Sequence, residues 1–190
     1  IMECILIDAT KGQIVLIGNK SEFGIESICK GEIAEPGKVA LEAKLFQEII
    51  KRLPQNEGTK LCIETEDNGN CIIRCEKSVF KIMGRNADEF PSLPIVEKQE
   101  AVVVSQFSLR NMINQTIFST ANGVNNKKMA GEYFEIIDNL FSVTSLDGHR
   151  ISIRKTCLKD SYSEQSAIVP KEVLADLSKI MTGGYDDMLE

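Results

Sequence analysis

Residues 37–53 read GKVALEAKLFQEIIKRL. Two later stretches repeat the pattern: residues 100–117, EAVVVSQFSLRNMINQTI, and residues 166–181, SAIVPKEVLADLSKIM. Leu45, Leu109 and Val173 fall in register, 64 residues apart, as do Ile49, Ile113 and Leu177, then Leu53, Ile117 and Met181. A period of this length marks one supersecondary unit used several times. In each copy a short apolar run (39–41, 102–104, 167–169) predicts a strand leading into a helix. The helix's apolar positions recur at i, i+4 and i+8, one face of the cylinder. Ser105 is the expected N-cap of the second helix. Pro170 suits the first turn of the third. Pro54 stops the first helix after Leu53.

Strands follow each helix. Residues 60–65, 71–75 and 78–83 alternate or are apolar, with a turn at Asp67-Asn68-Gly69-Asn70. Residues 133–137, 141–144 and 150–154 are three more, with turns at Asp138-Asn139 and Asp147-Gly148. The unit is therefore strand, helix, three strands, and the fold class is α+β. Before the first full unit, residues 5–7, 14–17 and 23–28 read as three strands with a Lys11-Gly12 turn. Val15 and Val143, Phe23 and Ile151, and Ile25 and Ile153 are 128 apart, twice the period.

Residues 1–30 thus read as the tail of a unit whose leading strand and helix are missing. Residues 165–190 read as the head of a unit whose trailing strands are missing. The chain is expected to be cut from a longer repeat protein at both ends, and its first residue is Ile rather than Met. Two prolines in Asp88-Glu89-Phe90-Pro91-Ser92-Leu93-Pro94 predict an extended linker. The expected domains, of two units each, are residues 1–96 and 97–190.

Composition narrows the function classes. The 190 residues are 43% hydrophobic and 26% charged, ordinary for a soluble globular protein. No apolar run approaches the ~20 residues that cross a bilayer, and no secretory signal is expected. The six cysteines, at 4, 29, 62, 71, 75 and 157, are expected to be reduced and buried. Cys71 and Cys75 lack a second ligand pair and the only His is distant, so no metal site is expected. The net charge of −6 argues against a wholly basic DNA-binding surface, yet permits a positive face.

Four runs then occur in order: Asp88-Glu89-Phe90-Pro91, Gln115-Thr116-Ile117-Phe118-Ser119, Asp147-Gly148-His149-Arg150 and Ile168-Val169-Pro170-Lys171. Together with the period, they resemble the bacterial DNA polymerase III beta subunit family, the sliding clamps, over essentially the whole chain. The resemblance implies the DNA clamp fold: six units in three domains, and two subunits closed head to tail around duplex DNA. Helices would line the inner face and sheets the outer. The chain would then hold the first domain without its opening strand and helix, and the second without its last strands.

On the helices, Lys44, Lys51 and Arg52, then Arg110, then Lys171 and Lys179 outnumber the carboxylates. Taken alone this is an ordinary solvated helix face. The resemblance makes it a DNA-facing surface that contacts phosphate without reading bases. It adds the loop from Asn122 to Lys127 and Lys128, which taken alone is an exposed polar loop. Asp147-Gly148 alone is a hairpin connection. By resemblance Gly148, His149, Arg150 and Ile151, with Met129 and Leu146, line an apolar groove for peptide tails. Leu146 stands where relatives often carry a small hydroxyl residue. Leu45, Ile49, Phe80 and Ile82 alone read as core. By resemblance they form a subunit interface.

His149 beside Asp147 and Arg150 is the one acid–base candidate, but no nucleophile motif accompanies it, so catalysis is not expected. The implied function is a processivity factor that encircles DNA and tethers the polymerase by raised effective concentration. It is non-catalytic and needs no cofactor. The implied partners are double-stranded DNA, the DNA polymerase III alpha subunit, the clamp loader, other clamp-motif peptides, and a second subunit in a homodimer of the full-length parent. No membrane partner is expected, and the implied localisation is cytoplasmic, at the nucleoid. The alternative is a free-standing α+β peptide-binding module with no DNA role.

Overall fold

The computed structural model describes residues 3–20, 23–56, 58–94, 101–121, 129–181, 183–184 and 186–190. Two compact units divide the chain, Ile1–Ile95 and Val96–Glu190. The boundary expected at residues 96–97 lies outside the described residues.

In the first unit, β1 (Cys4–Asp8), β2 (Ile14–Lys20), β3 (Phe23–Cys29) and β4 (Lys38–Glu42) precede α1 (Ala43–Arg52). After the helix come β5 (Leu61–Thr65), β6 (Asn70–Cys75) and β7 (Ser78–Arg85). The strands form one seven-stranded antiparallel sheet, ordered β3-β2-β1-β4-β7-β6-β5. Period-two alternation sorts β4: Val39 and Leu41 face α1, while Ala40 faces the other side with Cys4, Leu6 and Phe90. Phe46 and Ile49 of α1, with Leu53 at its C-cap, close the main core over Ile7, Leu41, Cys71, Ile73 and Ile82. Leu53, forced extended by Pro54, ends the helix at ψ 151°. At the junction of β4 and β7, Gly84 passes so close that a Cβ would lie 2.7 Å from the Gly69 carbonyl and 2.8 Å from Val39.

The Asp88-Glu89-Phe90-Pro91 run is architectural. Asn86 Oδ1 caps the Asp88 amide at 3.0 Å, Asp88 pairs with Lys38, and Asn19 Nδ2 donates to the Pro91 carbonyl at 3.2 Å. These contacts seat Phe90 against the side of the sheet opposite α1.

In the second unit, β8 (Val104–Ser105) pairs with β11 (Met188–Leu189) and leads into α2 (Gln106–Thr116), which runs on into a 3-10 turn, Ile117–Ser119. Then come β9 (Gly131–Leu146), β10 (Ile151–Pro170) and α3 (Lys171–Ile180). Although β9 is continuously extended, it cannot be straight. Seven residues of strand would separate Phe134 from Phe141 by about 23 Å, yet their ring centroids are 5.4 Å apart. Ser142 Oγ also reaches the Glu135 carbonyl at 3.4 Å. The chain folds back at Asp138, whose φ is +56°, so Asp138-Asn139 is a tight turn. The two halves of β10 flank this hairpin: Ile151 to Cys157 pair with Leu146 to Leu140, and Gln165 to Pro170 with Ile136 to Gly131. A shift of 128 residues places these four segments on β1 to β4 of the first unit. Leu109, Met112 and Ile113 of α2 and Leu174 of α3 cover Ile136, Phe141 and Val143.

Local expectations change in four places. The second leading strand begins at Val104, not at residue 102, because it extends only as far as its partner β11. Ser105 occupies the N-cap position of α2 but its side chain makes no cap bond. Pro170 is the N-cap of α3 rather than a first-turn residue, since its amide-less nitrogen ends β10. The cysteines are free, but only Cys4, Cys71 and Cys75 are buried; Cys62 and Cys157 are exposed. Cys62 lies on the edge strand β5, which has a neighbour on one side only.

Candidate functional site

The turn after β9 is built around one carboxylate. Asp147 Oδ1 accepts the amides of His149 at 3.0 Å and Arg150 at 3.1 Å, and Oδ2 accepts Arg150 Nε at 2.8 Å. The His149 amide foremost, then the Arg150 contacts, hold the Asp147 carboxyl below its ordinary range. Gly148 supplies the left-handed residue the turn requires, at φ +88°. The turn delivers Arg150 over the Phe118 ring, 5.6 Å from its centroid. Ser119 Oγ and Ser152 Oγ, 2.6 Å apart, tie the 3-10 turn to β10.

Around this contact lie Phe118 at 54% exposure, Ile151 at 60% and Ile153 at 54%, with Leu146 at 39%. Solvated aromatic and branched side chains beside one guanidinium make an apolar face with a cationic rim, the chemistry that holds a short apolar peptide bearing a carboxylate. Met129 is half-buried, and its carbonyl accepts the Ala121 amide at 3.0 Å. His149 is exposed.

A buried network joins the end of α2 to both ends of β9. Thr116 Oγ1 is 2.6 Å from Glu132 Oε1 and 2.7 Å from the Met112 carbonyl. Ser145 Oγ donates to the Thr116 carbonyl at 2.5 Å. Glu132 is wholly buried, and its Oε2 has no partner among the described residues. Burial pushes its carboxyl up to about 7, against a smaller opposing pull from the Thr116 hydroxyl.

The helices carry the candidate phosphate contacts. Lys44, Lys51 and Arg52 are exposed on α1, Arg110 on α2 and Lys179 on α3, while Lys171 is half-buried at the start of α3. Lys51 and Arg52 also sit in the last turn of α1, where they complement the helix dipole. Lys179 pairs with Asp176 at 2.9 Å, and Arg110 lies against Gly183. Asn122, Lys127 and Lys128 lie outside the described residues. Across the three helices six cationic side chains stand against three anionic ones, in a chain whose net charge is −6.

Of the interface candidates, Leu45 is exposed and Phe80 half-buried, whereas Ile49 and Ile82 are 6% and 8% exposed. Those two pack in the first unit's core, so neither offers a free surface. Sequence marks neither Phe118, which it places only within the run Gln115 to Ser119, nor Glu132 as a site residue. Phe118 stands one residue after Ile117, the last position of the apolar period, and so falls off the face that the period marks. Glu132 did carry a signal: strand parity puts it on the same face as Phe134 and Ile136, an acid at an inward position. Among the described residues no cluster of His, Cys, Asp and Glu is placed to hold a metal, and no helix is long and apolar enough to cross a membrane.

Two family models match the chain: the N-terminal domain of the DNA polymerase III beta subunit over residues 1–94, and its central domain over residues 103–189. The beta sliding clamp of Staphylococcus epidermidis is 33% identical over 196 residues, spanning 99% of this chain and 51% of that protein. That of Staphylococcus aureus is 32% identical with the same coverage. Among solved structures, a putative DNA polymerase III beta subunit from Eubacterium rectale matches with a TM-score of 0.94 at 47% identity, over 98% of this chain and 50% of that one. The DNA polymerase sliding clamp of Bacillus subtilis matches with a TM-score of 0.89 at 28% identity and the same coverage. The chain spans about half the length of the relatives it matches.

Proposed function

Because the chain belongs to the DNA polymerase III beta subunit family, we propose that it supplies two domains, residues 1–96 and 97–190, of a ring that encircles duplex DNA. The observation that carries this reading is charge segregation. The helices hold a positive excess while the rest of the chain is strongly acidic. Exposed lysines and arginines on rigid helices attract phosphate without addressing base edges, which suits a protein that must move along any sequence. Lys44, Lys51, Arg52, Arg110, Lys171 and Lys179 are the proposed contacts, with Asn122, Lys127 and Lys128 from the adjoining loop.

The second working part is the apolar face of Phe118, Leu146, Arg150 and Ile151, with Met129, Gly148 and His149 beside it. It receives the peptide tails of the polymerase alpha subunit, the clamp loader and other users of the ring. Docking there raises the polymerase's effective concentration at the DNA, so processivity comes from tethering rather than from bond chemistry. Leu45 and Phe80 are the residues of the first unit placed to meet a second subunit. The setting is the bacterial cytoplasm, at the nucleoid.

The test is topological. The intact protein, loaded on nicked circular plasmid, is expected to stay bound through a high-salt gel filtration and to be released when the plasmid is linearised. Retention that is indifferent to linearisation, or lost from the circle at the same salt, defeats the encircling reading.

A further inference from the structure

Glu132 is an acid that the proposed function does not use, yet it is wholly buried and joined to both elements that build the peptide face. On one side its carboxyl meets Thr116, the last residue of α2, and Phe118 lies two residues further along the same turn. On the other, Thr116 is held by Ser145, the neighbour of Leu146. The Thr116 hydroxyl has one proton, and two oxygens within 2.7 Å compete for it: the Met112 carbonyl and Glu132 Oε1. A protonated carboxyl resolves the competition by donating to Thr116 Oγ1, which leaves the hydroxyl proton for the backbone. An ionised carboxylate needs donors for both oxygens, and Oε2 has none among the described residues.

We propose that Glu132 in its protonated form is a positioning residue of the peptide face, clamping the end of α2 to β9, and that its ionisation loosens Phe118 and weakens peptide docking. This rests on the peptide-docking reading given above. Among the described residues no ion pair reaches the Glu132 carboxyl, and its Oε2 has no hydrogen-bond partner. The charged groups of the surrounding elements are Arg110 on α2, Glu135 and Asp138 on β9, Asp147 and Arg150 in the turn between β9 and β10, Arg154 and Glu164 on β10, and Lys171 and Glu172 on α3; burial foremost raises the proton affinity of Glu132, against a smaller pull from the Thr116 hydroxyl. Burial places the titration near neutral pH.

Two readouts on the intact protein test this. The first is the pH dependence of the isoleucine δ1-methyl resonances of Ile117 and Ile136 in the free protein. A shared midpoint near neutral is expected in wild type and not in Glu132→Gln or Glu132→Met. The second is fluorescence anisotropy with a labelled acidic pentapeptide carrying two leucines and a phenylalanine. Its affinity is expected to weaken about fivefold between pH 6 and pH 8.5 in wild type and to stay level in either variant. A methyl midpoint that survives both substitutions, or a variant whose affinity keeps the wild-type pH profile, overturns the proposal. If neither variant folds, the wild-type methyl titration decides alone, and the lack of a midpoint near neutral refutes it. Phe118→Ala separates the two readings: peptide affinity unchanged by this substitution at pH 6 sinks the docking reading, and the proposal with it, whatever the methyls report.

Discussion

At the scale of single residues, Glu132 makes a stability prediction that needs no ligand. Its carboxyl titrates in the folded chain at about 7, above its ordinary 4.5, because the fold strips it of water. A raised value means that the folded state holds the proton more tightly. The resulting stability is fully present below about 4.5 and is lost as pH rises through about 7, a loss of about 3 kcal/mol. Urea denaturation of wild type and Glu132→Gln at pH 5 and pH 8 measures it. Wild type is expected to lose ground to the variant at the higher pH, and a difference that is the same at both values refutes the assignment. Ile151 makes the opposite case, since it is exposed and its truncation removes surface rather than core. Ile151→Ala is expected to leave the unfolding free energy within about 0.5 kcal/mol of wild type. The same change weakens the pentapeptide by a measurable factor, read by anisotropy at pH 6.

At the scale of elements, α1 carries the electrostatic case. Lys44 and Lys51 are seven residues apart, two turns, and so share a face, with Glu48 between them. Removing one cation that neutralises a phosphate lowers the salt dependence of DNA binding by roughly one in the logarithmic slope. Lys44→Glu with Lys51→Glu is therefore expected to flatten the slope by about two, equally on unrelated duplex sequences. A slope that does not move would remove α1 from the DNA-facing surface. The junction of β4 and β7 supplies a structural counterpart. A methyl group on Gly84 meets the Gly69 carbonyl and Val39 at distances no side chain tolerates. Gly84→Ala is expected to cost about 1–3 kcal/mol, measured by thermal unfolding, because backbone there cannot yield without parting two strands.

At the scale of the whole molecule, each unit has a main core of its own, one under α1 and one under α2 and α3. Calorimetry is expected to depart from a single two-state transition. Ile73→Ala should lower the component belonging to the first unit, and Val143→Ala that of the second, each by about 2–4 kcal/mol. One transition lowered equally by both substitutions would show that the units unfold together.

Sequence carried the repeat, because periodicity is a property of the chain and survives without coordinates. The 64-residue spacing, the strand–helix–strands order, the stop at Pro54 and the turn at Asp138-Asn139 all rest on local rules: apolar period, a missing amide, a residue tolerant of positive φ. Charge on the helices was legible for the same reason. Tertiary structure alone decided which of those residues meet. Ile49 and Ile82 were candidates for an interface, but packing put them inside, and no period distinguishes a core position from an interface position on the same face. Phe118 came under Arg150 because a turn and a hairpin 32 residues apart converge. Glu132 acquired its altered acidity from burial by elements on either side of it. A chain writes its periods locally, but burial and convergence are sums over distant neighbours, and only the folded molecule performs them.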